Sequence, residues 1–362
     1  MTGPQERLGL EISVVVATWN RAATLKRTLE HLDRQDLPPD QFEVIVVDDG
    51  SPDDTAETVA GMRRQVRYTL RYLHHANRGP GYTQNRGIEG ARAPLVLLIA
   101  DDIWLAPGAL RQHLQTHRDH PALEVAVVGK VTQSPELTQS LFMRKWEPIR
   151  FGNVKQIVTL PYYLFWACHV SAKRDFLLSV GMFREHRGRA GAASHEDVEL
   201  GYRLHQRGLR LLYNPRATAH HYHVETLEKA MQRAYERGLN FDEFRQYVPA
   251  PEVVVRYHLI AWRTLADHAR VYAGQLRTHL LGFERNPLLL AAAYLLRALL
   301  FNRIAVHGLW LPLLRAAERH SWLARAVRNN MYRGTINYFF FKGWRDSQRL
   351  YPATARSVTA LR

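Results

Sequence analysis

Three pairs of neighbouring acids carry the chemistry the sequence offers: Asp48-Asp49, Asp101-Asp102 and Glu196-Asp197. Two adjacent carboxylates after an apolar run can hold a hard divalent cation that also touches phosphate oxygens. Asp101-Asp102, with Pro107-Gly108 behind it, fits that description, and fits a plain helix N-cap equally well. In Asp48-Asp49-Gly50-Ser51 the carboxylates can accept from a nucleobase N–H or a ribose hydroxyl, while Gly50 permits a tight turn. The same four residues also make an ordinary loop. Glu196-Asp197 precedes apolar Val198, Leu200 and Leu204, so it opens a helix whose dipole keeps a carboxylate ionised. An ionised Asp there can take a proton from an attacking hydroxyl, or simply charge the helix terminus. His220-His221-Tyr222-His223 can complete a metal shell or bind a diphosphate. Its spacing fits no closed zinc site, and Cys168 is the one thiol in the chain.

Something must hold these residues together, and the surrounding pattern says what. Ile12 to Thr18, Phe42 to Val47 and Leu95 to Ala100 are β-branched or continuously apolar runs, which predict buried strands. Arg67 to Leu73 alternates like a further strand. Between them, Arg21 to Asp33, Thr55 to Met62 and a stretch ending at Gly87 to Ala93 have helical spacing. Alternating strands and helices imply an α/β fold with a mostly parallel, doubly wound sheet, whose ligands bind beyond the carboxyl ends of the strands. Two of the acidic pairs fall at such ends. Later, Val125 to Val131 and Val158 to Ser171 read as strands, His195 to Arg207 as a helix, and Leu209 to Tyr213 as a short strand. From Glu225 onward the pattern is helical.

Taken in order, the motifs form a series: Ser13-Val-Val-Val-Ala-Thr-Trp-Asn-Arg21, Val46-Val-Asp-Asp-Gly-Ser51, Asn77-Arg-Gly-Pro-Gly-Tyr-Thr-Gln-Asn-Arg-Gly87, Ala100-Asp-Asp102, Glu196-Asp-Val-Glu-Leu-Gly-Tyr-Arg-Leu204, and Pro215 before His221. Over roughly Glu11 to His223 this series resembles the family-2 glycosyltransferases of GT-A fold. The resemblance implies an inverting, nucleotide-sugar-dependent hexosyl transfer to a hydroxyl acceptor, in cell-surface polysaccharide or glycolipid synthesis. It implies that Ala17, Trp19 and Asp49 line the nucleotide base with Asp48 supporting them, and that Arg78 and Gly81 pass near the phosphates. By the same resemblance, Asp101 meets the ribose or diphosphate and Asp102 ligates Mn²⁺ or Mg²⁺. His221, with His223 second, stands by the metal, Asp197 is the base, and Glu196 is its acidic neighbour. The chain departs from the family in two places. Ala100 stands where members often carry a third aspartate, and Val180-Gly-Met-Phe-Arg-Glu185 has Arg184 where an acid is usual. The basic loop Glu185 to Ser194 is expected to close over the diphosphate or to be a solvated loop.

Charge divides the chain. The net charge is +15, yet Arg256 to Arg362 holds 17 basic and 4 acidic residues, leaving the remainder nearly neutral. The expected domains are therefore 1–224, catalytic, and 225–362, a basic, aromatic-rich helical region. Aromatics and arginines on nearly acid-free helices suit an anionic membrane surface, while a bundle with solvated arginines is the plainer account. Pro287 to Phe301 is the most apolar segment, but Arg297 interrupts it, so a spanning helix is not expected. Met1 to Leu10 lacks a signal-peptide pattern and a single cysteine fits a reducing compartment, so the expected location is cytoplasmic, peripheral at the inner face of the membrane. Expected partners are a nucleotide diphosphate sugar and a glycan or lipid-linked acceptor. Nucleic acid is not expected, because Lys342 is the one lysine after Arg256 and no binding motif accompanies it. A sugar-phosphate nucleotidyltransferase is the competing enzyme class. Its basic, Gly-rich phosphate loop after the first strand is replaced here by Thr18-Trp-Asn-Arg21.

Overall fold

The computed structural model describes residues 9–146, 154–185, 195–249, 295–296 and 298–351. They fall into two compact units, Met1–Thr138 with Ile149–His223, and Gln139–Pro148 with Val224–Arg362.

The first unit is built on a sheet of nine strands among the described residues. In chain order its elements are β1 (Ile12–Thr18), α1 (Ala22–Asp33), β2 (Phe42–Asp48), α2 (Thr55–Met62), β3 (Thr69–His74), α3 (Pro80–Gly90), β4 (Leu95–Ala100), β5 (Ile103–Leu105) and α4 (Ala109–Asp119). β6 (Val125–Gln133), α5 (Leu141–Lys145, in the second unit), β7 (Val158–Leu160), β8 (His169–Lys173), α6 (Arg174–Ser179), α7 (Glu196–Gln206) and β9 (Arg210–His221) follow. The sheet order is β3-β2-β1-β4-β8-β6-β9-β5, with β7 added on β9.

Side-chain alternation explains why the strands are apolar throughout. Val14 and Val16 of β1 pack with Leu25, Leu29, Val44 and Leu97 on one face, whereas Val15 packs with Ile45, Ile88, Leu98 and Leu200 on the other. α3 lies so close to β1 that a Cβ on Gly87 would sit 2.2 Å from a Val15 methyl carbon. The register pairs Thr18 with Asp48 and Ala17 with Ala100, so the carboxyl ends of β2, β1 and β4 lie side by side.

Two expectations need correction. Val158 to Ser171 is not one strand: β7 is followed by a 3₁₀ turn at Tyr162–Leu164, and β8 begins only at His169. β8 also runs antiparallel to both β4 and β6, in the middle of the sheet. An apolar strand records burial on two faces but not its direction. β9 is longer than the stretch Leu209 to Tyr213, because Pro215 falls at a bulge where the register on β6 shifts from Gly129–Asn214 to Lys130–Thr218. Proline is tolerated at a bulge, so the strand runs on to deliver His221.

The second unit is helical in its described residues, as expected. α8 (Leu227–Leu239) and α9 (Phe241–Tyr247) pack with the helix Asn329–Leu350. α8 crosses that helix at two glycines: a Cβ on Gly238 would meet Phe340 O at 2.1 Å, and one on Gly343 would meet Tyr235 O at 2.0 Å. Trp344 Nε1 donates to Asp242 at 2.7 Å, and the Glu318 carboxylate accepts from the backbone N–H groups of Leu141 and Phe142 at the start of α5. Among the described residues no helix is long and apolar enough to cross a membrane. Most of Pro287 to Phe301, and the loop from 186 to 194, lie outside the described residues.

Candidate active site

Two of the acidic pairs, Asp48-Asp49 and Asp101-Asp102, stand at the carboxyl edge of the parallel strands. Asp48 closes β2, buried, and accepts from Ser51 N at 2.9 Å and from Tyr72 Oη at 2.6 Å. Asp49 turns outward across the 77–79 loop, accepting from Arg78 N at 2.6 Å and Gly79 N at 3.0 Å. Both carboxylates are thus satisfied by the protein, and Asp49 fixes the loop that leads into α3. Ala17 is half-buried one residue before the end of β1, and Trp19, just beyond it, is exposed. Gly81 is held by packing, since a Cβ there would lie 2.8 Å from Arg184 O. The Arg78 guanidinium stacks over Tyr82 and stands 3.6 Å from Glu185.

Asp101 and Asp102 follow β4 and are both buried. Thr18 Oγ1 donates to Asp101 Oδ2 at 2.8 Å. One guanidinium nitrogen of Arg21, Nη1, donates to Asp101 Oδ1 at 2.7 Å and to Asp102 Oδ2 at 2.8 Å. Burial alone would lower the Arg21 pKa, but the two carboxylates outweigh it and the net displacement is upward. Arg21 is a residue whose role sequence reading missed. Its one clue was a basic residue directly after Asn20, with its partners 80 positions away.

β9 brings the histidines to the same place. Strand alternation puts His221 and His223 on one side and Tyr222 on the other, where Tyr222 stacks on Trp104 at 4.2 Å. Tyr222 N also donates to Asp102 O at 2.8 Å, stitching this segment to the acidic turn. His221 Nε2 and His223 Nδ1 each lie 3.3 Å from an oxygen of Asp102. Burial pushes the Asp102 carboxyl up, but the two imidazoles and Arg21 together hold it well below the usual range.

Asp102, His221 and His223 suit a divalent metal. One donor atom from each lies within 4.8 Å of the others, and the Asp102 carboxylate that both imidazoles approach is buried. Two imidazoles with one carboxylate favour Mn²⁺ over Mg²⁺, which prefers oxygen ligands.

Glu196 and Asp197 open α7, half-buried, behind His195 in the left-handed conformation (φ 67°). Asn20, before Arg21, is also left-handed (φ 55°). Backbone of this kind gathers at functional sites because the surroundings must hold it. At the Cys168 thiol, burial first, then the negative charges of Asp197 and Asp102, push the pKa up to about 12. Both carboxylates therefore lie within electrostatic reach of one sulfur. Arg184, unexplained by the sequence, donates to Glu199 Oε1 at 2.7 Å, and Arg203 grips the same carboxylate. Buried Glu199 thus anchors α7 against the turn after α6.

Known proteins agree with this architecture. The family described as Glycosyl transferase family 2 matches residues 13–177. Those residues form a family 2 glycosyltransferase domain. Over 227 residues, 55% of this chain and 48% of the other, the chain is 30% identical to validoxylamine A glucosyltransferase of Streptomyces hygroscopicus subsp. limoneus. It is 27% identical over 151 residues to the poly(ribitol-phosphate) beta-N-acetylglucosaminyltransferase TarS of Staphylococcus aureus, covering 42% of this chain and 26% of the other. The chain spans about half the length of the first of these relatives. Its fold is similar to the mannosyltransferase PcManGT from Pyrobaculum calidifontis in complex with GDP-Man and Mn²⁺, with a TM-score of 0.54, 16% identity, and coverage of 95% of this chain and 88% of the other. The family match ends before α7 and does not reach Glu196, Asp197 or His221.

Proposed function

We propose that this glycosyltransferase moves a sugar from a nucleotide diphosphate sugar to a hydroxyl acceptor with inversion, using a divalent metal held by Asp102, His221 and His223. The observation that carries the reading is the convergence of those three side chains beside Asp101, at the strand ends where an α/β sheet binds its ligands. Asp49 and Trp19 border the place for the base, and Asp101, with one oxygen on Thr18, stands toward the ribose. When bound, the metal would neutralise charge on the departing diphosphate. Asp197, ionised at the helix terminus, accepts the acceptor's proton while the acceptor oxygen bonds to the anomeric carbon and the bond to the diphosphate oxygen breaks. Glu196 borders the acceptor side. The mannosyltransferase of similar fold was solved with GDP-Man and Mn²⁺, and the relatives by sequence transfer glucosyl and N-acetylglucosaminyl groups. A glycan or lipid-linked acceptor, and a role in polysaccharide or glycolipid synthesis, extend the reading.

The test is a panel of UDP-, GDP- and TDP-sugars with Mn²⁺ and a hydroxyl acceptor, run on wild type and Asp197→Asn. Transfer by wild type with a loss of about 10²-fold or more in Asp197→Asn supports the base assignment. Equal rates would remove it. Release of pyrophosphate from a nucleoside triphosphate would favour the nucleotidyltransferase reading instead.

The second unit supports a membrane-surface role on one observation. Leu296, Leu299 and Leu300 are exposed, as are Ile304 on the next short helix, at 85%, and Trp322, at 70%. Arg303, Arg319 and Arg325 lie in the same stretch of sequence. Co-sedimentation with anionic but not neutral vesicles is the expected result.

A further inference from the structure

The acidic site already contains a cation. Arg21 Nη1 stands between Asp101 Oδ1 and Asp102 Oδ2 at 2.7 and 2.8 Å, and Nη2 stands 3.3 Å from His223 Nδ1. Arg21 thus touches two of the three residues that suit a metal, through one oxygen of Asp102 and Nδ1 of His223. A guanidinium there only donates, and its positive charge opposes a second cation brought to the same groups. The backbone does not leave its position to chance. Asn20 is left-handed, and Asp53 Oδ2 accepts from Ala22 N at 3.0 Å where α1 begins. The side chain itself is 39% exposed, which leaves it room to swing outward.

Charge decides when it can leave. Two carboxylates and one guanidinium sum to a single negative charge, so a divalent ion added alone would turn the site positive with Arg21 beside it. A diphosphate changes both terms. It balances the ion, and it offers Arg21 a planar pair of oxygens that guanidinium groups grip bidentately.

Resting on the metal reading above, we propose that Arg21 is the resident counter-cation of the site and makes divalent-metal binding conditional on the donor's diphosphate. Without donor it occupies the Asp102 oxygen and the face of His223, and the metal binds weakly. With donor it transfers to the diphosphate, and Asp102 and His223 are relieved of its charge.

Mn²⁺ binding to the full chain, followed by electron paramagnetic resonance with and without UDP or GDP, tests this directly. Wild type is expected to bind Mn²⁺ weakly alone and about tenfold or more tighter with the nucleoside diphosphate, within the usual range of coupling between sites. Arg21→Gln is expected to bind Mn²⁺ alone about tenfold tighter than wild type and to lose most of that coupling. A merely structural arginine would move affinity the other way. Arg21→Lys, which keeps the charge, is expected to remain near wild type. If Arg21→Gln bound Mn²⁺ alone no tighter than wild type, or if Arg21→Lys bound it as tightly as Arg21→Gln, the proposal would be overturned. Mn²⁺ binding equally to all three proteins removes this proposal and leaves the metal reading standing. No Mn²⁺ binding in any state, with sugar transfer intact, removes both.

Discussion

Two clusters of histidines occupy the first unit, and they do opposite things with the same side chain. His113, His117 and His169 are buried between α4 and β8, and among the described residues their ring nitrogens pair with Ser171, with Lys173 and, for His113 and His169, with each other. His113 lies 2.8 Å from Ser171 Oγ and 3.1 Å from His169 Nε2, and His117 lies 2.9 Å from the same serine oxygen. Burial pushes His117 and His169 down to about 3 and His113 well below its ordinary value, so all three stay neutral. His221 and His223, in contrast, are half-exposed and aim at a buried carboxylate. The first cluster is a neutral hydrogen-bonded core. The second has an anion to offset a cation and an opening for a ligand, which is what a metal site requires.

The comparison can be broken from either side. Replacing both His221 and His223 with Ala should lower transfer by about 10²-fold or more while leaving the melting temperature nearly unchanged, since ligand and supporting groups of metal sites typically cost 10- to 100-fold each. A large stability loss with normal specific activity would make this pair structural as well. His169→Ala should do the reverse. It opens a cavity against Gly129 and leaves His113 Nε2 without its partner, costing about 2–4 kcal/mol in chemical denaturation, with kcat per folded molecule retained.

The same burial sets the response to acid. The three buried imidazoles titrate below their unfolded value of about 6.5, so between there and about 3 the unfolded chain binds protons that the folded chain refuses. Their contribution is complete above about pH 6.5 and is lost as the pH falls toward 3. Thermal melts from pH 7 to pH 5 should show a steady decline, flattened in His117→Gln. A flat wild-type profile would contradict the neutral-cluster account.

Much of this was legible in the sequence where local chemistry decides the outcome. The β-branched runs of β1, β2 and β4 announce buried strands, and the acids at their ends announce the ligand edge. Long-range partners could not be read. Nothing near Arg21 reveals Asp101 and Asp102, and nothing near Tyr72 reveals Asp48. Arg184 reads as a departure from a pattern until Glu199, on another element, supplies its charge. Strand direction at β8 and the bulge at Pro215 are products of how connections enter the sheet, which apolar patterning does not encode. The segment Gln139–Pro148 joins the helical unit through Glu318, a hydrogen-bond acceptor far along the chain.

The central claim is that Asp102 anchors a catalytic metal. The direct measurement is sugar transfer against Mn²⁺ concentration after chelation with EDTA, in wild type and Asp102→Asn, with both proteins checked for folding by circular dichroism. The account predicts that chelated wild type is inactive and recovers with Mn²⁺, whereas Asp102→Asn stays about 10²–10³-fold lower at every concentration. An Asp102→Asn protein that follows the wild-type metal titration to full activity would contradict it.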